Sequence, residues 1–307
     1  MKSMLNRRIL RIKAFKVVYS RVENPLTLKD AEAELERSCE ATRDLYLFLL
    51  AVAGPLTEEA KSRLEAARSK FNPTPEELNP NTKFVENGIA PLLQQDPDFS
   101  KIVKKKKLSW DNDDVFLRHL YESIREKDWF KAYMASPQRS LKEDAGLFAR
   151  IYEQEFPDNE ELEDILTDAS IYWNDELEYA LTWCCRTMDK LGRGHRWSLP
   201  ELYMSEISDV AGKDSDRAFV FNLVRAALRN FDKYMQMIAE VTPKWETKRI
   251  CATDLALIIC GLAEADTFSN IDYRTTINEF VEISKYYSTP ESRGFVNGVL
   301  DKLINKT

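Results

Sequence analysis

The chain has 307 residues, 44% of them hydrophobic and 31% charged, with a formal net charge of −7. This is enough apolar material for one large core or two ordinary ones, and it excludes a disordered, low-hydrophobicity chain. Only nine glycines occur, which suits helices, whose interiors disfavour Gly.

Cys39, Cys184, Cys185, Cys251 and Cys260 form no C-x-x-C pair. The odd count argues against a disulfide framework. His119 and His195 have no second ligand at metal spacing, so neither a metal nor another cofactor is expected. The longest apolar run, residues 255–261, is too short to cross a membrane, and no long apolar segment follows the basic start. A cytoplasmic protein without a membrane partner is expected.

The charge is unevenly spread. Lys2, Arg7, Arg8, Arg11, Lys13, Lys16 and Arg21 fall in the first 21 residues with no acid among them. The rest carries 37 basic against 51 acidic residues. A basic end on an acidic body is the pattern of a localised anion-binding surface, although an ordinary solvated helix face has the same composition.

Read in chain order, nearly every segment has helical periodicity, which predicts an all-α fold. A first helix is predicted over 7–19 and a second from Thr27, a candidate N-cap. Gly54-Pro55 should end or kink that second helix. A helix over 58–70 and a proline-rich connection over 72–81 follow. Further helices are predicted over 81–94, 113–133, 140–156 and 159–192. The run Lys104–Lys107, read as a loop beside Leu108 and Trp110, could hold nucleic acid by charge and stacking; a solvated loop is the plainer alternative. Gly192-Arg193-Gly194 should break the chain, and Ser198-Leu199-Pro200-Glu201 should open the next helix.

Asp214 or Ser215 can cap a helix whose stripe is Val220, Val224, Ala227, Phe231 and Ile238. From Thr253-Asp254 runs a helix apolar almost all round, which must be buried on most sides. Asp272 can cap the next helix. Thr289-Pro290 reads as an N-cap followed by proline at the first helical position. The last helix carries Phe295, Val299 and Leu303 on one stripe, with Val296 and Leu300 beside it.

Residues 277–285 read INEFVEISK, and residues 291–303 read ESRGFVNGVLDKL. This stretch closely resembles the signature of the NusB family of transcription antitermination factors. Residues 216–238, Trp245 and 254–262 are similar to the preceding family helices in order and spacing. Arg7-Arg8-Ile9-Leu10-Arg11, Ala14 and Val18-Tyr19-Ser20 look like the family's arginine-rich first helix. Two parts are therefore expected: residues 1–200, a first helix plus a helical insertion, and residues 201–307, a NusB-like bundle against which the helix over about 7–20 packs.

The resemblance implies a non-catalytic protein that binds single-stranded boxA-like RNA. Its implied partners are the ribosomal small-subunit protein that acts as NusE and the RNA polymerase elongation complex. At about 100° per residue, Arg7, Arg8 and Arg11 fall within one arc of about 100°. Three guanidiniums there could hold phosphates, over a docking stripe of Leu10, Ala14, Val17 and Val18. Tyr19 is either an RNA-facing aromatic or a partly buried anchor. Phe295 corresponds to a family aromatic that contacts RNA, with core packing as the alternative. Glu291 corresponds to an acidic residue at the helix start, where favourable interaction with the helix dipole explains it equally well. Asn278, Glu279, Asn297 and Asp301 belong to the signature and read as capping and interhelical hydrogen-bonding residues.

This chain departs from the family pattern at Gly294. Many members have a basic residue immediately before the phenylalanine, whereas here Arg293 stands one place earlier, about 100° away around the helix. A methyltransferase related through a similar domain is the catalytic alternative, but no Gly-rich strand–helix loop suited to S-adenosylmethionine is visible. The non-catalytic alternative is a helical protein–protein adaptor that has lost RNA binding.

Overall fold

The computed structural model describes residues 3–204, 215–243 and 250–304. The fold is all-α, and the chain divides into two compact units. Unit 1 comprises residues 1–40 and 201–307, and unit 2 residues 41–200. Asp214 and Trp245 lie outside the described residues.

Unit 1 contains α1 (Arg7–Glu23), the first part of α2 (Leu28–Ala51), α12 (Asp216–Arg229), α13 (Phe231–Val241), α14 (Ala252–Thr267), α15 (Tyr273–Tyr287) and α16 (Ser292–Ile304). Its organising element is α14. Every residue from Asp254 to Glu264 is buried, and α1, α12, α13, α15 and α16 all pack against it. A helix apolar on all sides loses the most hydrophobic free energy if any face stays wet, so the others surround it. Asn6 caps α1 by accepting from the Ile9 amide, and Ser215 caps α12 through the Ala218 amide. Asp272 caps α15 through the Arg274 amide.

Several predicted boundaries move. The helix read over 216–238 is broken at Asn230, between α12 and α13. The residues around 198–201 form no helix; instead the carbonyls of Glu201 and Leu202 accept from the amides of Met4 and Leu5, at 2.7 and 2.9 Å. Pro290 does not open α16. Residues 290–291 form a turn and the helix begins at Ser292, whose amide donates to the Thr289 carbonyl.

Unit 2 continues α2 to Ala51 and adds α3 (Ala53–Arg68), α4 (Pro75–Leu78), α5 (Ile89–Gln95), α6 (Pro97–Lys106), α7 (Asp114–Glu126), α8 (Asp128–Ala135), α9 (Leu141–Gln154), α10 (Glu160–Ala169) and α11 (Leu177–Gly192). It has its own core. Trp110 stacks on Phe48 at 4.1 Å and on Phe116 at 5.4 Å, and Phe84 lies among Tyr121, Phe130 and Phe148. The chain breaks near Val52, so Gly54 and Pro55 sit inside the first turn of α3, where proline's missing N–H costs nothing. The helix expected over 81–94 is a series of turns followed by α5, and 113–133 divides at Lys127. The segment 159–192 divides between α10 and α11. Lys104, Lys105 and Lys106 form the last turn of α6 rather than a loop, with Lys107 as its left-handed cap at φ 56°. Favourable contact with the negative helix end explains part of that placement.

Gly261 marks a close approach of α14 to α16 in unit 1. A Cβ there would stand 2.7 Å from Leu300 Cδ2 and 3.1 Å from Cδ1, and Leu300 is fully buried. Gly261→Ala should therefore destabilise unit 1 by about 1–3 kcal/mol through overpacking, read as a lower urea midpoint. Gly298→Ala, where open space surrounds the glycine, should not lower the midpoint.

Candidate nucleic-acid interface

Arg7, Arg8 and Arg11 of α1 do not form a free basic cluster. Each reaches a carboxylate on a different helix. Arg7 Nε donates to Asp216 Oδ1 at 2.7 Å, and its guanidinium lies 4.1 Å over the Phe219 ring. Arg8 donates twice to Glu279, at 3.0 and 2.8 Å. Arg11 donates twice to Glu264, at 2.7 and 2.8 Å, with a second carboxylate, Glu279, at 3.7 Å.

Burial separates the three. The Arg11 and Glu264 side chains are 6% and 0% exposed, while Arg8 is 53% exposed. Arg11 is thus a structural residue. An RNA phosphate could reach it only by opening the core and abandoning Glu264, which also accepts from Thr276 Oγ1 at 2.8 Å. Lys13 is likewise internal, with Nζ donating to the Ser38 carbonyl at 2.7 Å. Arg8 remains at the surface. Glu279 raises the Arg8 pKa chiefly through their hydrogen bonds, and Arg8 holds the Glu279 carboxyl below its ordinary value in the same way.

Tyr19 lies near the other end of α1 and is exposed. It neighbours Phe15, which packs on Tyr287 at 5.3 Å, and Lys16 Nζ lies 5.9 Å from that ring. Tyr286 is also exposed. This edge of α1 and α15 therefore joins aromatic faces and a cation.

Glu291 and Phe295 share a different place. They line a cleft of about 270 Å³ with Ile250, Cys251, Asp254, Thr289 and Ser292. Phe295 is half-buried against the core and Glu291 is exposed. The cleft floor is held by Asp254, whose two oxygens accept from Ser288 at 2.6 Å and Ser292 at 2.8 Å. Arg293 is exposed beside it, and Gly294 has open space around it. Of the other signature residues, Glu279 makes the expected interhelical bond. Asn278 and Asn297 do not: both are exposed within their helices, and among the described residues neither side chain makes a hydrogen bond.

The partners Asp216, Glu264 and Glu279 were not singled out as a set by the sequence. The available signal was Glu264 itself, a carboxylate at the end of the apolar run of α14 that has to be paired when buried. Among the described residues no group of His, Cys, Asp and Glu is placed to hold a metal, and no helix is long and apolar enough to cross a membrane.

Residues 195–305 match the NusB family. Relatives carrying the name transcription antitermination protein NusB include one from Chloroherpeton thalassium, 31% identical over 119 residues, which are 39% of this chain and 52% of the relative. One from Alkaliphilus oremlandii is 29% identical over 94 residues, 31% of this chain and 68% of the relative. One from Syntrophotalea carbinolica is 35% identical over 98 residues, 32% of this chain and 63% of the relative. The chain thus spans about half to two thirds of the length of these relatives. No solved structure matches.

Two expectations follow from this geometry. Glu264→Ala should cost about 3–5 kcal/mol in chemical denaturation, because it strands the buried Arg11 charge; Arg11→Met combined with Glu264→Leu should recover most of that loss. The pairing of Glu279 should show in pH. Its folded pKa is depressed, so its contribution is present above the unfolded value and lost as the pH falls through the folded one. Wild type should be more stable than Glu279→Gln at neutral pH, and the difference should shrink below about pH 4.

Proposed function

We propose that this chain is a non-catalytic, RNA-binding antitermination factor of the NusB type. It takes single-stranded boxA-like RNA together with the ribosomal small-subunit protein that acts as NusE, within the RNA polymerase elongation complex. The observation that carries the reading is the family match over residues 195–305, supported by the signature helices that become α15 and α16.

The geometry revises which residues would meet RNA. Arg8, Tyr19, Phe295 and Glu291 are at the surface or on an open cleft. Arg7 is partly accessible but engaged with Asp216. Arg11 supports the surface from beneath. A phosphate arriving at Arg8 would compete with Glu279 for one fork of donors, whereas a base needs only an aromatic face. RNA recognition in unit 1 is therefore weighted toward stacking.

The second reading, a helical adaptor without RNA binding, is favoured by one observation: Arg7, Arg8 and Arg11 already have carboxylate partners. Anisotropy titrations of the full chain with a boxA-like oligonucleotide, with and without the ribosomal partner, separate the two. Tyr19→Ala and Phe295→Ala should each weaken binding by about 1–3 kcal/mol at every salt concentration. Arg8→Ala should lower the salt slope by about 0.7, the share of one phosphate on a single strand. If the wild type binds this RNA no better than a neutral helical protein does, the adaptor reading holds instead.

A further inference from the structure

A cluster of lysines without ion pairs lies in unit 2. Lys101, Lys104, Lys105 and Lys107 are all exposed, and none makes an ion pair among the described residues. Their neighbour Lys106 does, with Asp44 at 2.5 Å. On α6, Lys101, Lys104 and Lys105 fall within an arc of about 100°. Lys107 follows in the left-handed conformation, a position that glycine usually takes. Four adjacent like charges without counterions on an otherwise acidic chain invite a polyanion.

Beside this helix end is a cleft of about 520 Å³. Val103, Leu108 and Phe99 give it apolar walls, Lys104 and Lys107 lie on its lining, and Ser109 and Asp111 complete the rim. Asp111 contributes the one carboxylate of the lining, so the surrounding charge stays positive. The exposed Gln94 side chain is also part of the lining. Gly54 allows its approach: a Cβ at Gly54 would stand 2.4 Å from Gln94 Nε2. The Trp110 indole is not available for stacking. It is buried against Phe48, and its Nε1 donates to the Phe48 carbonyl at 2.8 Å.

We propose that this helix end and cleft form a contact for single-stranded RNA, with phosphates on the four lysines and one base seated over Val103 and Leu108. The Gln94 amide, both donor and acceptor, is placed to meet the edge of that base. No large apolar side chain between residues 94 and 111 is exposed, which disfavours insertion into a lipid surface. An apolar concavity between lysines fits a strand that alternates phosphate and base better than it fits a uniformly charged partner. The choice of RNA rests on the function proposed above; the site itself does not.

The test uses the full chain and a labelled oligouridine of about 30 nucleotides, which contains no boxA-like element and exceeds a single site. Changing Lys101, Lys104, Lys105 and Lys107 together to Gln should weaken binding about tenfold or more and lower the salt slope by about 2–3, at about 0.7 per phosphate. Ser109→Trp, which fills the cleft without altering charge, should weaken binding several-fold and leave the slope alone. Both changes are at exposed positions, and unchanged thermal melting would confirm that the fold is intact. Unaltered affinity and slope in the lysine variant would overturn the proposal, as would failure of the wild type to bind oligouridine. Equal lysine-dependent capture of phosphatidylserine vesicles or polyglutamate would also overturn it. Failure on oligouridine with retained boxA-like binding removes this site alone; the reverse removes the reading of unit 1.

Discussion

The Arg11–Glu264 pair is the constraint on which unit 1 depends. Hydrophobic burial alone would let α14 accept many neighbours, because it is apolar on every side. A carboxylate near its end removes that freedom. Glu264 is fully buried, and an unpaired charge at that depth is far too costly to tolerate. Only a helix that brings a guanidinium to that point can close the core, and α1 does so from 253 residues away in sequence. Arginine suits the place better than lysine because its planar fork satisfies both oxygens at once. Thr276 Oγ1 gives Glu264 a third donor, so α15 is tied into the same knot. Arg8 and Glu279 repeat the link at the surface, where solvent weakens it.

The same logic assigns work to polar residues elsewhere in the unit. Asp254, at the other end of α14, collects the hydroxyls of Ser288 and Ser292, the residues that end α15 and begin α16. The central helix therefore carries a carboxylate near each end of its buried span. One fixes the first helix and the other fixes the turn between the last two. The apolar face supplies most of the stabilisation, and these acids set the register.

Sequence periodicity revealed α14, α15 and the body of α1 because each has a strong apolar pattern and a recognisable start. It did not reveal the breaks at Asn230 and Lys127: across Asn230 the apolar stripe continues in phase, and at Lys127 no glycine or proline marks the stop. Nor did it reveal that Glu201 and Leu202 pair with Met4 and Leu5, a long-range contact without a local signal. For the interface, the positions of Arg7, Arg8 and Arg11 on one arc were readable, but their accessibility was not. Whether a guanidinium faces solvent depends on which acid folds against it, and here the acids lie on α12, α14 and α15. Lys13 is a second case: its charge counted toward a basic end, yet its ammonium is buried on the Ser38 carbonyl.

These placements change the meaning of the charge asymmetry. Of the basic residues in the first 21, Arg11 and Lys13 are internal, and Arg7 and Arg8 face carboxylates. The field they project is therefore much weaker than their number suggests, because each engaged charge appears to solvent as part of a dipole. Among the described residues Lys101, Lys104, Lys105 and Lys107 have no such partners, so their charges are screened chiefly by solvent and salt. A protein built this way separates two tasks that composition alone merges. Under the proposed function, arginines that look like a grip on an anion would serve mainly to orient a helix, leaving aromatic and cleft surfaces of unit 1 to discriminate, and the short lysine run would supply long-range attraction. Under this division, affinity that depends on salt and affinity that depends on base identity would come from different parts of the chain.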